Sequence, residues 1–154
     1  MTHHKSISTL MLVFTLLLAL DAHAQGSCVF YAADSKNHNG PDSTAQIYSD
    51  GPISFVWEPS SGRIWGGYHP ARVTAYTPVL TYFNNVNAGY ITAGPINPSN
   101  LNLSMRILFS RSVPDGYWWE LREAKLTGTT ASATLSGMAD GPFLFTATGT
   151  VTCN

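Results

Sequence analysis

Leu101-Asn102-Leu103-Ser104-Met105-Arg106-Ile107-Leu108-Phe109 carries the strongest structural pattern in the chain. Leu101, Leu103, Met105, Ile107 and Phe109 alternate with Asn102, Ser104, Arg106 and Leu108. A period of two over this length sends one apolar set of side chains to a core and the other set outward, as in a half-buried antiparallel strand.

Working outward, Phe143, Phe145, Ala147, Gly149 and Val151 alternate with Leu144, Thr146, Thr148, Thr150 and Thr152, and Ala131, Ala133 and Leu135 alternate with Thr130, Ser132, Thr134 and Ser136. Further strands are read at 28–33, 45–49, 53–57, 63–68, 72–76, 79–83, 90–93 and 117–126. No stretch carries a capped helical period. Glu120 to Lys125 are good helix formers, yet Tyr117-Trp118 and Leu126-Thr127 on either side favour a strand. Alternation slips at Arg122-Glu123, where a bulge is expected.

Gly40-Pro41, Gly51-Pro52, Gly94-Pro95 and Gly141-Pro142 set breaks between strands, since proline lacks the N–H that a ladder needs. Asp50-Gly51-Pro52-Ile53-Ser54-Phe55 and Asp140-Gly141-Pro142-Phe143-Leu144-Phe145 read as one turn chemistry entering a strand twice. Many short strands punctuated in this way make an all-β domain. An antiparallel β-sandwich is the first expectation and a small closed barrel the next.

The ends of the chain carry a second message. Lys5, the apolar run from Leu10 to Leu20 broken only by Thr15, and Ala22-His23-Ala24 have the form of a signal peptide over residues 1–24. The run is shorter than the ~20 residues of a membrane-spanning helix. Residues 25–154 then make a single exported all-β domain, secreted or periplasmic, with no integral membrane segment after cleavage.

The only two cysteines, Cys28 and Cys153, stand at the two ends of that domain, and cysteines of an exported chain pair. Their disulfide would join the first and last strands and, in the chain-entropy treatment, contribute on the order of 4 to 5 kcal/mol. Strand parity puts Cys153 on the inward face with Val151. The pairing also leaves no thiol nucleophile and no zinc-ligand set. Gly26-Ser27-Cys28 weakly resembles a lipoprotein cleavage box, but Gln25 stands where that box wants a branched apolar residue.

Charged residues are 11% of the chain, against about 25% in an average globular protein. The cations Lys36, Arg63, Arg72, Arg106, Arg111, Arg122 and Lys125 are scattered along the sequence, and the formal net charge is −1. Nucleic acid is therefore not an expected partner. Recognition should lean on hydrogen bonds and apolar contacts, with little dependence on salt.

No nucleophile elbow, His-Glu-x-x-His or related spacing is present. His38 and His69 read as loop residues at turns. Glu58, Glu120 and Glu123 could supply a glycosidase pair only if two of them faced one cleft. Residues 34–42 are rich in side-chain oxygens, but aligning Asn37, Asn39 and Gly40 with a calcium loop puts Ser35 and Gln46 where an Asp and a Glu are wanted. A solvated loop is expected there, with no metal and no cofactor.

Aromatics are the remaining signal. Trp57 shares a face with Ile53 and Phe55, and Trp119 with Tyr117 and Leu121, so both are assigned to the core. Trp118 falls on the face of Glu120 and Arg122, and in Arg63-Ile64-Trp65-Gly66-Gly67-Tyr68 two glycines open the backbone between a Trp and a Tyr. Trp65, Tyr68, Trp118, Glu120 and Arg122 are the candidate ligand-binding residues, and no catalytic residue is assigned.

Two functions fit this set. The first is an exported binding module recognising a glycan or envelope polysaccharide through exposed aromatics. The second is a cell-envelope interaction or structural protein docking a protein partner. A small secreted hydrolase is a distant third.

Overall fold

The structure is a computed structural model that describes residues 25–38, 46–72, 80–83, 85–110, 118–139 and 143–154. Its strands are β1 (Cys28–Ala32), β2 (Ser35–His38), β3 (Ile47–Ser49), β4 (Ile53–Glu58), β5 (Arg63–Arg72), β6 (Leu80–Phe83), β7 (Asn85–Ile91), β8 (Leu101–Ser110), β9 (Trp118–Gly128), β10 (Ala133–Ala139) and β11 (Phe143–Cys153). All pairings are antiparallel. The order β1-β4-β5-β7-β8-β9-β10-β11 closes on itself through β1 and β11. Of the two architectures expected, the closed barrel is the one formed, and β2, β3 and β6 extend its wall.

The eleven strands reduce to an up-and-down meander. Cys28 faces Trp57 and Ala32 faces Ile53. Lys36 faces Ser49 and His38 faces Ile47 in the same register, and the Asp50 N–H donates to the Ser35 carbonyl at 2.9 Å between the two ladders. β1 with β2, and β3 with β4, thus form one long hairpin. Asp50-Gly51-Pro52 is the break on one arm, with Gly51 at φ 86°, a conformation that glycine adopts without a Cβ clash.

The seam is closed covalently. Cys28 lies directly opposite Cys153, their Cα atoms are 4.1 Å apart, and the sulfurs are bonded across a separation of 125 residues. Cys28 is fully buried and Cys153 packs against the core, as its parity with Val151 requires. A bonded Cys28 does not fit the lipoprotein alternative.

Interior side chains follow the sequence alternation. Leu101, Leu103, Met105, Ile107 and Phe109 are all buried, as are Phe145, Ala147 and Val151, and Ala133 and Leu135. Phe30, Phe55 and Trp57 form a row of tilted rings with centroids 5.3 and 5.6 Å apart, and an eight-stranded barrel is just wide enough for such side chains to fill. Thr148, Thr150 and Thr152 are exposed on the outer face. Among the described residues no helix is long and apolar enough to cross a membrane.

The expected bulge in β9 is present. Ile107 pairs with Leu121 and Met105 with Ala124, so Arg122 and Glu123 together face Arg106. The extra residue reverses parity: Trp119 and Leu121 point inward before it, Ala124 and Leu126 after it. Glu123 sits at φ 50°, sparsely occupied by non-glycine residues.

Candidate functional site

Strand β5 turns its aromatics outward through a second bulge. Val56 pairs with Gly66 and Trp57 with Ile64, which leaves Trp65 as the extra residue. Ile64 enters the core, while Trp65 is pushed into solvent at 52% exposure. Beyond it Gly66 and Tyr68 share the outer side with Val56 and Ser54, and Gly67 and His69 turn inward.

The two glycines have different reasons to be there. A Cβ on Gly67 would stand 2.8 Å from Phe109 Cε1 and 2.9 Å from Val86 Cγ2, so the core requires its absence. A Cβ on Gly66 would meet only Val56, at 3.8 Å or more. Only Gly66 opens the outer surface.

The bulges in β5 and β9 frame one outer wall. Arg63 faces Tyr90, Tyr90 faces Arg106, and Arg106 faces the Arg122-Glu123 bulge, making a row across four strands. Tyr90 is 59% exposed. Arg106 Nε donates to Glu120 Oε1 at 2.6 Å, a charge-assisted bond that fixes both side chains over the sheet. A shallow hollow of about 420 Å³ lies here, lined by Tyr90, Arg106, Arg122, Glu123 and Lys125 together with Ser104, Met105 and Ala124. On the other flank of β5, Tyr31 lies opposite Ser54 and Val29 opposite Val56. Tyr31 is 52% exposed.

Of the residues singled out in the sequence, Trp65 and Tyr68 lie on β5 and Glu120 and Arg122 on β9, three strands away along the same wall, and of the four Arg122 lines the hollow. Trp118 is paired with Ser110 on β9, and its side chain lies outside the described residues. Trp57 and Trp119 are in the core, as their parity implied. Sequence reasoning missed Tyr90 and Arg106. Arg106 carried a legible signal, an outward arginine within the clearest strand. Tyr90 carried a misleading one: the alternation of Asn85-Val86-Asn87-Ala88 puts Tyr90 on the inward face of Val86, and the irregularity between Val86 and Ala88 reverses that parity. Scattering of the cations holds for the sequence and not for the surface: Arg63, Arg106, Arg122 and Lys125 share this wall with Glu58, Glu120 and Glu123, a mixture of both signs.

His69 departs from the loop expectation. It lies on β5, with Pro70 continuing the strand against β6, and it is fully buried. Its ring stacks on Trp119 at 4.6 Å and meets Phe145 edge-on at 5.4 Å. Nε2 is 3.3 Å from Ser35 Oγ, and that hydroxyl donates to the Gly51 carbonyl at 2.7 Å. With the hydroxyl proton so engaged, Nε2 carries the ring proton and Nδ1 is a lone pair with no partner among the described residues. Burial pushes His69 down to about 3, so the ring is neutral at ordinary pH. The Ser–His contact does not make a nucleophile, because both residues are shut off from solvent and the serine proton points to a backbone carbonyl.

The expected loop at 34–42 is also corrected in part. Ser35–His38 is strand β2, and Ser35 is buried, because the alternation of the long hairpin turns it inward. Residues 39–42 of that stretch lie outside the described residues. Asp34 bonds Lys36 Nζ at 2.7 Å and accepts from Ser49 Oγ at 2.5 Å. These bonds hold its carboxyl down at about 2. Glu58 accepts from Ser60 Oγ, and Glu120 is held by Arg106.

Comparison with protein-family models, curated proteins and solved structures finds no match to the chain.

Proposed function

We propose that the protein is an exported, non-enzymatic binding module that recognises a glycan on the outer wall of its barrel. One observation carries the reading: Trp65 and Tyr90, each more than half exposed, stand on adjacent strands of one outer wall, and Tyr90 opens onto a hollow rimmed by Arg106, Arg122 and Glu123. Large rings are normally buried, and the bulge spends a ladder position to turn Trp65 outward. Flat rings with apolar faces stack on sugar rings, while guanidinium and carboxylate groups beside them hydrogen-bond hydroxyls. Among the described residues the interior is packed with Phe30, Phe55, Trp57, Phe109 and Phe145, which favours the outer wall as the surface for recognition. Export follows from the leader reading and accords with the disulfide.

The test is a fluorescence titration of the mature protein with soluble polysaccharides. A bound glycan quenches or shifts tryptophan emission, and Trp65→Ala abolishes the response while the circular dichroism spectrum is retained. An unchanged response in Trp65→Ala contradicts the assignment.

A second reading, docking of a protein partner, draws on β3. Among the described residues it pairs only with β2, and Ile47 is 55% exposed, so its free edge could take an added strand. That reading predicts a co-purifying protein or a concentration-dependent oligomer, with no glycan response.

A further inference from the structure

Gly66 is not explained by the fold. Its φ is not in the left-handed region, and a Cβ built there meets nothing closer than Val56 at 3.8 Å. Neither backbone conformation nor core packing calls for glycine at this position. A glycine inside a strand costs roughly 0.5 to 1 kcal/mol relative to alanine. What its missing side chain does is leave bare backbone on the outer wall between Trp65 and Tyr68, with Val56 and Val29 in the same row across β4 and β1.

The surroundings define the shape of an occupant. Tyr31 on β1, Tyr68 and Trp65 on β5 and Tyr90 on β7 lie along one outer surface, with Ser54 and Val56 on β4 between them. At ~4.8 Å between neighbouring strands, the three steps from β1 to β7 span about 14 Å, longer than a single sugar ring. No charged residue lies in the part of this band on β1 and β4 from Val29 to Tyr31 and Ser54 to Val56, or on β5 from Trp65 to Tyr68. The charges at its far end include both signs, and Arg106 is already bonded to Glu120.

Resting on the glycan reading above, we infer that the ligand is a neutral polysaccharide chain lying across β1, β4, β5 and β7, seated on the bare backbone at Gly66 between the rings of Trp65 and Tyr68. Several successive sugars are engaged together, the chain lies in van der Waals contact with the strand at Gly66, and a side chain at that position lifts it off.

The experiment is affinity electrophoresis of the mature protein in native gels containing dextran, laminarin, galactomannan or hydroxyethylcellulose, with alginate as the anionic comparison. At least one neutral polymer retards the protein, and alginate retards it less. Gly66→Leu weakens that retardation at least tenfold with its melting temperature retained; Gly66→Thr, smaller and strand-favouring, guards against a folding defect in the leucine variant. Glucose, galactose or mannose at equal mass concentration fails to compete.

Undiminished retardation of both Gly66 variants, stronger retardation by alginate, or full competition by a monosaccharide overturns the inference and leaves the glycan reading standing. No retardation by any polysaccharide overturns the reading itself. If the Gly66 variants instead dissociate a dimer or lose a co-purifying protein, the surface is a protein interface and the inference fails.

Discussion

Acid should drain stability from this barrel through His69, and by an amount that can be worked from its surroundings. The ring is packed between Trp119, Phe145 and Phe109, with Ser35 beside Nε2, and its folded pKa is lowered from 6.5 to about 3. Between those values the unfolded chain takes up a proton that the folded chain refuses, so stability is complete above 6.5 and falls as pH falls through the window. At about pH 4.5, two units below the unfolded value, the loss at ~1.36 kcal/mol per unit is roughly 2.7 kcal/mol. A urea m-value of about 1 to 3 kcal/mol/M turns that into a midpoint drop of about 1 M or more.

The assay is urea unfolding at about pH 7.5 and 4.5 for the wild type and His69→Phe, which keeps a flat ring in the aromatic cluster and removes the titration. The wild type should lose roughly 2 to 3 kcal/mol more than the variant between the two conditions. Equal losses, or a His69 imidazole that titrates near its ordinary value by NMR, would refute the burial argument.

Other outcomes follow from the same geometry. Replacing Cys28 and Cys153 together by alanine should destabilise by on the order of 4 to 5 kcal/mol in the chain-entropy treatment, read as a lowered denaturation midpoint, with the seam between β1 and β11 losing amide protection first. Gly67→Ala should cost about 1 to 3 kcal/mol by driving a methyl into Phe109 and Val86, whereas Gly66→Ala should be neutral or slightly stabilising; thermal melts of the two neighbours check this. Asp34 has a folded pKa of about 2 against 3.8, so its contribution is present above 3.8 and is lost as pH falls toward 2. Being largely exposed, the ion pair is worth under about 1 kcal/mol, and Asp34→Asn should lower the neutral-pH melting point slightly and not change the acid one.

Strand alternation made the walls legible and left their closure open. Leu101 to Phe109 and Phe143 to Val151 announced their inward faces directly, because a side chain in a strand can point only two ways. The bulge at Arg122-Glu123 was legible for the same reason, as a fault in that alternation. What alternation does not carry is curvature: a sandwich and a barrel bury the same set of residues, and only the pairing of β1 with β11 separates them. The Trp65 bulge was hidden because Ile64-Trp65-Gly66-Gly67 has two glycines whose facing cannot be read.

The candidate site was partly legible for a related reason. Trp65, Tyr68, Glu120 and Arg122 stood out by type and parity, but what joins them is the register of β7. That strand is irregular between Val86 and Ala88, which reverses the facing that Asn85-Val86-Asn87-Ala88 implies, so Tyr90 could not be placed opposite Arg63 and Arg106 from the sequence. His69 was misread because His-Pro suggests a turn, and only the ring cluster of Phe109, Trp119 and Phe145 shows it to be core.

Recognition on the outer wall, and not inside the barrel, can be read residue by residue from amide chemical shifts of the mature protein titrated with a neutral polysaccharide. Shifts concentrated at Trp65, Gly66, Tyr68, Tyr90 and Arg106, with His69 and Leu135 unmoved, are the predicted result. Shifts centred on the interior residues, or none at all across a panel of polysaccharides, would contradict it.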